Sequence, residues 1–161
     1  MSVIDEYDAR RYLDRAVDIF DDAIRMDKHC HQAIHNLGIA YWKLGFNNEA
    51  VKHLTSAQEY APEEPHYNYH LGVALYDAGD NEESVKYLSK SQKARPKSID
   101  DNYFLGKALL GMGNAYRANR HFVIAYKAAC KNLAENIERV ADIRKANFKA
   151  VRMIRAAAPN N

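Results

Sequence analysis

Residues 31–64 read HQAIHNLGIAYWKLGFNNEAVKHLTSAQEYAPEE, and residues 65–98 read PHYNYHLGVALYDAGDNEESVKYLSKSQKARPKS. Laid in register, the two stretches match at Leu37-Gly38 and Leu71-Gly72, at Ala40 and Ala74, at Gly45 and Gly79, at Leu54 and Leu88, and at Pro62 and Pro96. Residues 99–132 continue the series with Leu105-Gly106, Ala108, Gly113 and Phe122. The interval is 34 residues each time, without insertion. A constant period of this length marks one supersecondary unit stacked on itself. Such stacks present extended surfaces rather than enclosed catalytic pockets, so the period points to binding.

Each unit predicts two helices. The first runs over about 32–44, where Ile34, Leu37, Gly38 and Tyr41 recur at helical spacing. Gly45 ends it, because glycine enters the left-handed region cheaply. Asn47 is expected to cap the second helix, whose apolar stripe is Ala50, Leu54 and Ala57. Pro62 punctuates the exit, and Pro65 suits the first turn of the next helix. In the third unit Ser98 and Asp101 form a shortened capping box, and Asn114 opens the second helix. Gly38, Gly72 and Gly106 are expected to let the paired helix approach closely, against Ala50, Ser84 and Ala118.

The flanks follow the same logic. Ala16, Phe20 and Ala23 precede Ala50, Leu54 and Ala57 by one period, so residues 1–30 read as an N-terminal helix, a degenerate half-repeat covering the first full unit. Leu133, Ile137, Val140, Phe148 and Val151 form one stripe, and residues 133–158 read as a C-terminal capping helix. Whether that helix continues the preceding one is left open by the sequence. Residues 1–30 hold eight acids and five bases, whereas residues 131–161 hold seven bases and three acids. The overall net charge of +2 favours no class of partner. No apolar run approaches the roughly 18 residues of a membrane span, and the acidic start lacks a secretory pattern. Cys30 and Cys130, one hundred residues apart, are no disulfide framework and fit a reducing, cytoplasmic setting.

The order Leu37, Gly38, Tyr41, Gly45, Ala50, Leu54, Ala57, Pro62 resembles the tetratricopeptide repeat. The second copy departs at Leu75, Ser84 and Ser91, and the third has Cys130 where the closing proline belongs. The resemblance covers 31–64, 65–98 and 99–132. It implies an all-α, right-handed superhelical solenoid, a single domain over 1–161, and protein–protein interaction rather than enzymatic activity. One branch of the family clamps the C-terminal carboxylate of heat-shock chaperones with Lys, Asn and Arg side chains. His66 and His70, or His35 and Ile39 in the other register, stand where that branch needs those residues, so chaperone-tail binding is disfavoured.

In each first helix, positions at spacing three, four, three avoid the packing stripe, and the resemblance puts them on the concave wall. They are Gln32, His35, Ile39 and Trp42 in the first unit. In the second they are His66, Tyr69, Val73 and Tyr76, and in the third Asp100, Tyr103, Lys107 and Leu110. They differ between units where the packing positions repeat, as a partner-selecting surface would. Rigid aromatic rings suit an extended peptide or an amphipathic helix. His29, His31, His35, His66 and His70 cluster by sequence, which raises pH sensitivity as an expectation, but no carboxylate completes a metal site and neither metal nor cofactor is expected. No nucleophile elbow, phosphate loop or zinc-protease motif occurs. The chain therefore reads as a non-enzymatic adaptor binding a protein or peptide segment in its groove. The alternatives are a small secretion-type chaperone of the same layout, self-association of acidic and basic ends, and contact with nucleic acid or anionic membrane through the basic C-terminal helix. Nucleic acid is the least favoured of these partners.

Overall fold

A computed structural model of the chain describes residues 3–132 and 136–158, with side chains from residue 8 and without that of Asn132. Every regular element among them is helical. The order is α1 (Val3–Met26), α2 (His31–Lys43), α3 (Asn47–Tyr60), α4 (Pro65–Asp77), α5 (Asn81–Ala94), α6 (Ile99–Gly111), α7 (Ala115–Ala129), a 3₁₀ turn (Cys130–Asn132) and α8 (Ile137–Ala157). The C-terminal helix is thus separate from α7. The expected start of the cap at 133–135, Leu133 of its stripe included, lies outside the described residues, as do 1–2 and 159–161.

The helices gather into two compact units, 1–79 and 80–161. In the first, α1 packs on α2, α2 on α3, and α4 on both α2 and α3. Its core comprises Ile34, Leu37 and Ala40 of α2, Ala50, Leu54 and Ala57 of α3, and Leu71 and Ala74 of α4. In the second, α5 packs on α6, α6 on α7, and α8 on both α6 and α7. Leu88, Leu105, Ala108, Ala118, Phe122 and Ala125 are buried there, and Ile143 and Ala150 bring α8 onto the same interior. The recurring apolar positions are these core residues, as helical periodicity requires.

Sequence chemistry sets the helix ends. At Gly45 φ is +84°, a left-handed turn, with equivalents at Gly79 and Gly113. Phe46 N–H donates to the Tyr41 carbonyl and Gly45 N–H to that of Trp42, the paired bonds of a Schellman ending. Pro65 occupies the first turn of α4, Ser98 Oγ accepts from Asp101 N–H, and Asn114 Oδ1 accepts from Arg117 N–H. The N-cap of α3 is Phe46 rather than Asn47. Asn47 sits one residue inside the helix, where its Nδ2 donates to the carbonyl of Asp77 at the end of α4.

The close approach at the repeated glycines also differs in its partner. A Cβ on Gly38 would lie 2.7 Å from Leu54 Cγ, and one on Gly106 2.6 Å from Phe122 Cε1. The large residue of the second helix, one turn beyond Ala50 or Ala118, is therefore what fills the space left by each glycine. Side chains lean toward the helix N-terminus, which carries Leu54 and Phe122 back over the glycine.

Candidate functional site

The first unit brings α2 and α4 side by side, and most of the candidate groove residues lie on these two helices. Trp42, near the end of α2, donates its indole N–H to Asp77 Oδ2 at 2.7 Å, and Asp77 also accepts from Asn47 through its carbonyl. Trp42 is half-buried and bonded, so its ring is held in one place. Gln32 and His66 are exposed, whereas Ile39, Tyr69 and Tyr76 are half-buried. Burial, with Asp77 beside it, raises the Tyr76 pKa above 10 and keeps its phenol neutral.

Two of the candidates do not offer surface. Val73 has 0% exposure and His35 only 7%. The imidazole of His35 stacks on Tyr67, with centroids 4.2 Å apart and planes at 24°. Spacing three, four, three places residues on one helical stripe, but how deep that stripe lies depends on the neighbouring helix. The groove positions of this unit therefore divide into exposed ends, Gln32 and His66, an apolar middle of Ile39, Trp42, Tyr69 and Tyr76, and a buried floor at His35 and Val73.

The clustered histidines are mostly bonded to tyrosines or to each other. His31 Nδ1 lies 2.9 Å from the Tyr67 hydroxyl, His29 Nδ1 lies 3.2 Å from the Tyr60 hydroxyl, and His35 Nε2 lies 3.1 Å from His70 Nδ1. Burial pushes the His35 pKa below 6.5, a hydrogen bond with Asn36 opposes it, and His66 adds to the lowering. No three metal-ligating side chains converge among the described residues.

In the second unit, Tyr103 and Lys107 of α6 form one group with Phe104. The Lys107 ammonium sits 4.7 Å from the Phe104 ring centroid and 5.5 Å from that of Tyr103, within cation–π range. Asp100 pairs with Arg139 of α8. Asp100, Tyr103, Phe104 and Arg139, with Ile99, Asp142 and Ile143 but not Lys107, line a cavity of about 150 Å³. One base of the C-terminal helix is thus engaged inside the unit.

The polar groups that set the joints between repeats lie outside the apolar repeat pattern. Asn68 Nδ2 donates to the carbonyls of Pro62 at 2.8 Å and Glu64 at 3.0 Å. One period later, Asn102 Nδ2 donates to those of Pro96 at 3.0 Å and Ser98 at 2.8 Å. The signal was present: an amide recurring on a packed helix face, 2% and 0% exposed, needs partners for its polar atoms.

Comparison with known proteins agrees with this geometry. A family model described as tetratricopeptide repeat matches residues 35–99. No curated protein matches the chain. Among solved structures, MamA from Desulfovibrio magneticus RS-1 is 18% identical, with a TM-score of 0.69, over 97% of this chain and 94% of that one. The Yersinia enterocolitica type III secretion chaperone SycD, solved with a peptide of the translocator YopD, is 14% identical, with a TM-score of 0.67, over 74% of this chain and 90% of that one. The TPR2B domain of yeast Sti1, solved in complex with pHsp70, is 17% identical, with a TM-score of 0.67, over 76% of this chain and 96% of that one. At these identities the likeness establishes the fold, an all-α helical repeat. Together with the recurring Leu-Gly, Gly and Pro positions, the match identifies residues 35–99 as tetratricopeptide repeat.

Proposed function

We propose that the chain is a non-enzymatic adaptor that binds an extended or helical segment of a partner protein on the face formed by α2 and α4. The observation that carries this reading is the apolar middle of that face. Ile39, Trp42, Tyr69 and Tyr76 keep part of their surface exposed, and the indole is fixed by Asp77. Anchored aromatics lose little freedom when a ligand covers them, which makes them efficient contact residues. Proteins similar in fold, SycD solved with a peptide of YopD and the Sti1 domain solved in complex with pHsp70, support the same class of role. Tyr103 and Lys107, with Asp100, are proposed as contact residues of the second unit taken by itself. The organisation of 1–161 as a single domain, with repeats at 31–64, 65–98 and 99–132, is part of this proposal. So is a cytoplasmic setting, supported by the free thiols of Cys30 and Cys130. No described helix is long and apolar enough to cross a membrane.

The test is capture of partners from native lysate by the wild-type chain and by a variant carrying Ile39→Ala and Tyr69→Ala. Loss of two anchors is expected to cost about 2 kcal/mol or more of binding free energy, enough to remove a micromolar partner from the captured set. Far-UV circular dichroism and melting should stay near wild type, since both side chains are half-buried rather than core. An unchanged captured set would rule out this face as the contact.

A further inference from the structure

One fixed acceptor assigns the protons in the imidazole chain that joins α2 to α4. His70 Nδ1 lies 2.9 Å from the carbonyl oxygen of His66 and 3.1 Å from His35 Nε2. A carbonyl oxygen only accepts, so His70 Nδ1 carries a hydrogen and donates it there. His35 Nε2 then faces an N–H and has to present its lone pair. That requires a neutral His35 ring with its own hydrogen on Nδ1. If His35 gained a hydrogen at Nε2, that hydrogen would face, across 3.1 Å, a protonated nitrogen with no lone pair to accept it. Such a contact has to open.

The surroundings leave His35 little room to turn away. It is 7% exposed and stacked on Tyr67, which is equally buried and packs with Ile34 and Ala57. The ionisable groups that bear on it are His31 on α2 itself, Glu64 at the N-cap of α4, and His66, Tyr67 and His70 on α4. From α3, Tyr60 reaches the group through His31, on which it stacks. Glu64 favours the charged ring, whereas His66 and His31 oppose it and burial opposes it most.

We propose that the His35–His70 contact is a proton-operated latch between α2 and α4, closed while His35 is neutral and opened when acidification charges it. The lowered His35 pKa means that the latch is closed at neutral pH and opens only in acid. These helices carry Trp42, Tyr69 and Tyr76, so opening reshapes the face described above. That consequence for a ligand rests on the proposed binding role, while the latch itself does not.

The test uses the full chain without any partner. Nitrogen-15 spectra of the imidazoles are followed together with amide hydrogen exchange, from about pH 7.5 to about pH 5. At neutral pH, His35 is expected as the Nδ1–H tautomer and to titrate below 6.5. Exchange at α4 amides, corrected for its intrinsic pH dependence, should accelerate as His35 charges, by up to about tenfold per pH unit for one proton. In His35→Gln this acceleration should shrink to the part that His53, also lowered by burial, contributes through the stability of the unit. An Nε2–H tautomer of His35 at neutral pH, or titration at or above 6.5, would overturn the latch without reference to any variant. So would a His35→Gln chain whose α4 amides keep the wild-type pH response. A face that captures no partner would leave each of these results intact, so the two readings fail separately.

Discussion

The joint between α3 and α4 and the joint between α5 and α6 are built on one backbone plan with opposite interiors. Both are pinned by the same asparagine, Asn68 in the first and Asn102 in the second, each holding two loop carbonyls. The residue before that asparagine is Tyr67 in one and Asp101 in the other. Tyr67 joins Ile34 and Ala57 in an apolar cluster, with Ile24 and Ala61 against it. Asp101 has no exposed surface, accepts from Arg95 at 2.8 Å and from Ser91 at 3.2 Å, and leaves Oδ2 without a hydrogen-bond partner. The main-chain plan of the repeat therefore tolerates a change from aromatic packing to a buried ion pair, provided the loop stays fixed. The two interiors fail differently, because stripping an apolar residue leaves a void and stripping a charge leaves its partner buried alone.

The sharpest break in the comparison is Arg95→Met. It leaves Asp101 without its cation and is expected to cost about 3 kcal/mol, the lower end for a broken buried pair, since the Arg95 side chain keeps 28% exposure. Urea unfolding measures this. A loss below about 0.5 kcal/mol would mean that the pair behaves like a surface contact.

Asn68→Ala and Asn102→Ala probe what the joints share. Each removes a side-chain donor shared by two loop carbonyls, of which those of Glu64 and Ser98 keep a backbone N–H donor, and is expected to cost about 1–3 kcal/mol. Similar losses at both sites would confirm that the clamp is independent of the interior beside it. A large difference would tie the clamp to Tyr67 or to Asp101.

The smallest effect is a pH profile. His35 and His53 in the first unit and His121 in the second all have pKa values lowered below 6.5, chiefly by burial. A lowered folded-state pKa stabilises the fold fully above 6.5, and that contribution is lost as pH falls through the folded value. Asp101 acts in the opposite sense. Burial raises its pKa above 3.8 despite Arg95, so the fold is penalised once pH rises through the folded value. Urea midpoints should therefore fall from about pH 6.5 toward about pH 5, and Asp101→Asn should alter only the more acidic limb. A profile that rises on acidification across the histidine range would contradict the stated burial of the three rings.

The contrast also separates what was legible in the sequence. The period, the helix pairs and the left-handed turns at Gly45, Gly79 and Gly113 could be read directly, because each rests on local chemistry repeated at a fixed interval. The burial of His35 and Val73 could not. A single helix shows which residues share a stripe, but their depth is set by a helix one period away. The nearest atoms to Gly38 and Gly106 belong to Leu54 and Phe122, one turn beyond the expected Ala50 and Ala118, since residue spacing does not show how far a side chain leans. The cap at Phe46 differs from the expected Asn47 by one residue, and the asparagine turned out to serve the next first helix instead of its own. The clamps at Asn68 and Asn102 recur at the repeat interval, but Ile34 holds that position in the first repeat, so only two copies carried the pattern.

The N-terminal helix α1 contrasts with every other helix of its unit, because none of its described side chains is buried. Tyr12, Ile19 and Met26 are 61%, 62% and 89% exposed, and Ile24 is its contribution to the Tyr67 cluster. A terminal element held by one neighbour has the lowest opening free energy of a stacked array. Limited digestion should start there. Trypsin would find Arg10, Arg11, Arg15 and Arg25 on a helix that can lift away while the repeats behind it stay folded, and a shortened but still helical core would be the first stable fragment.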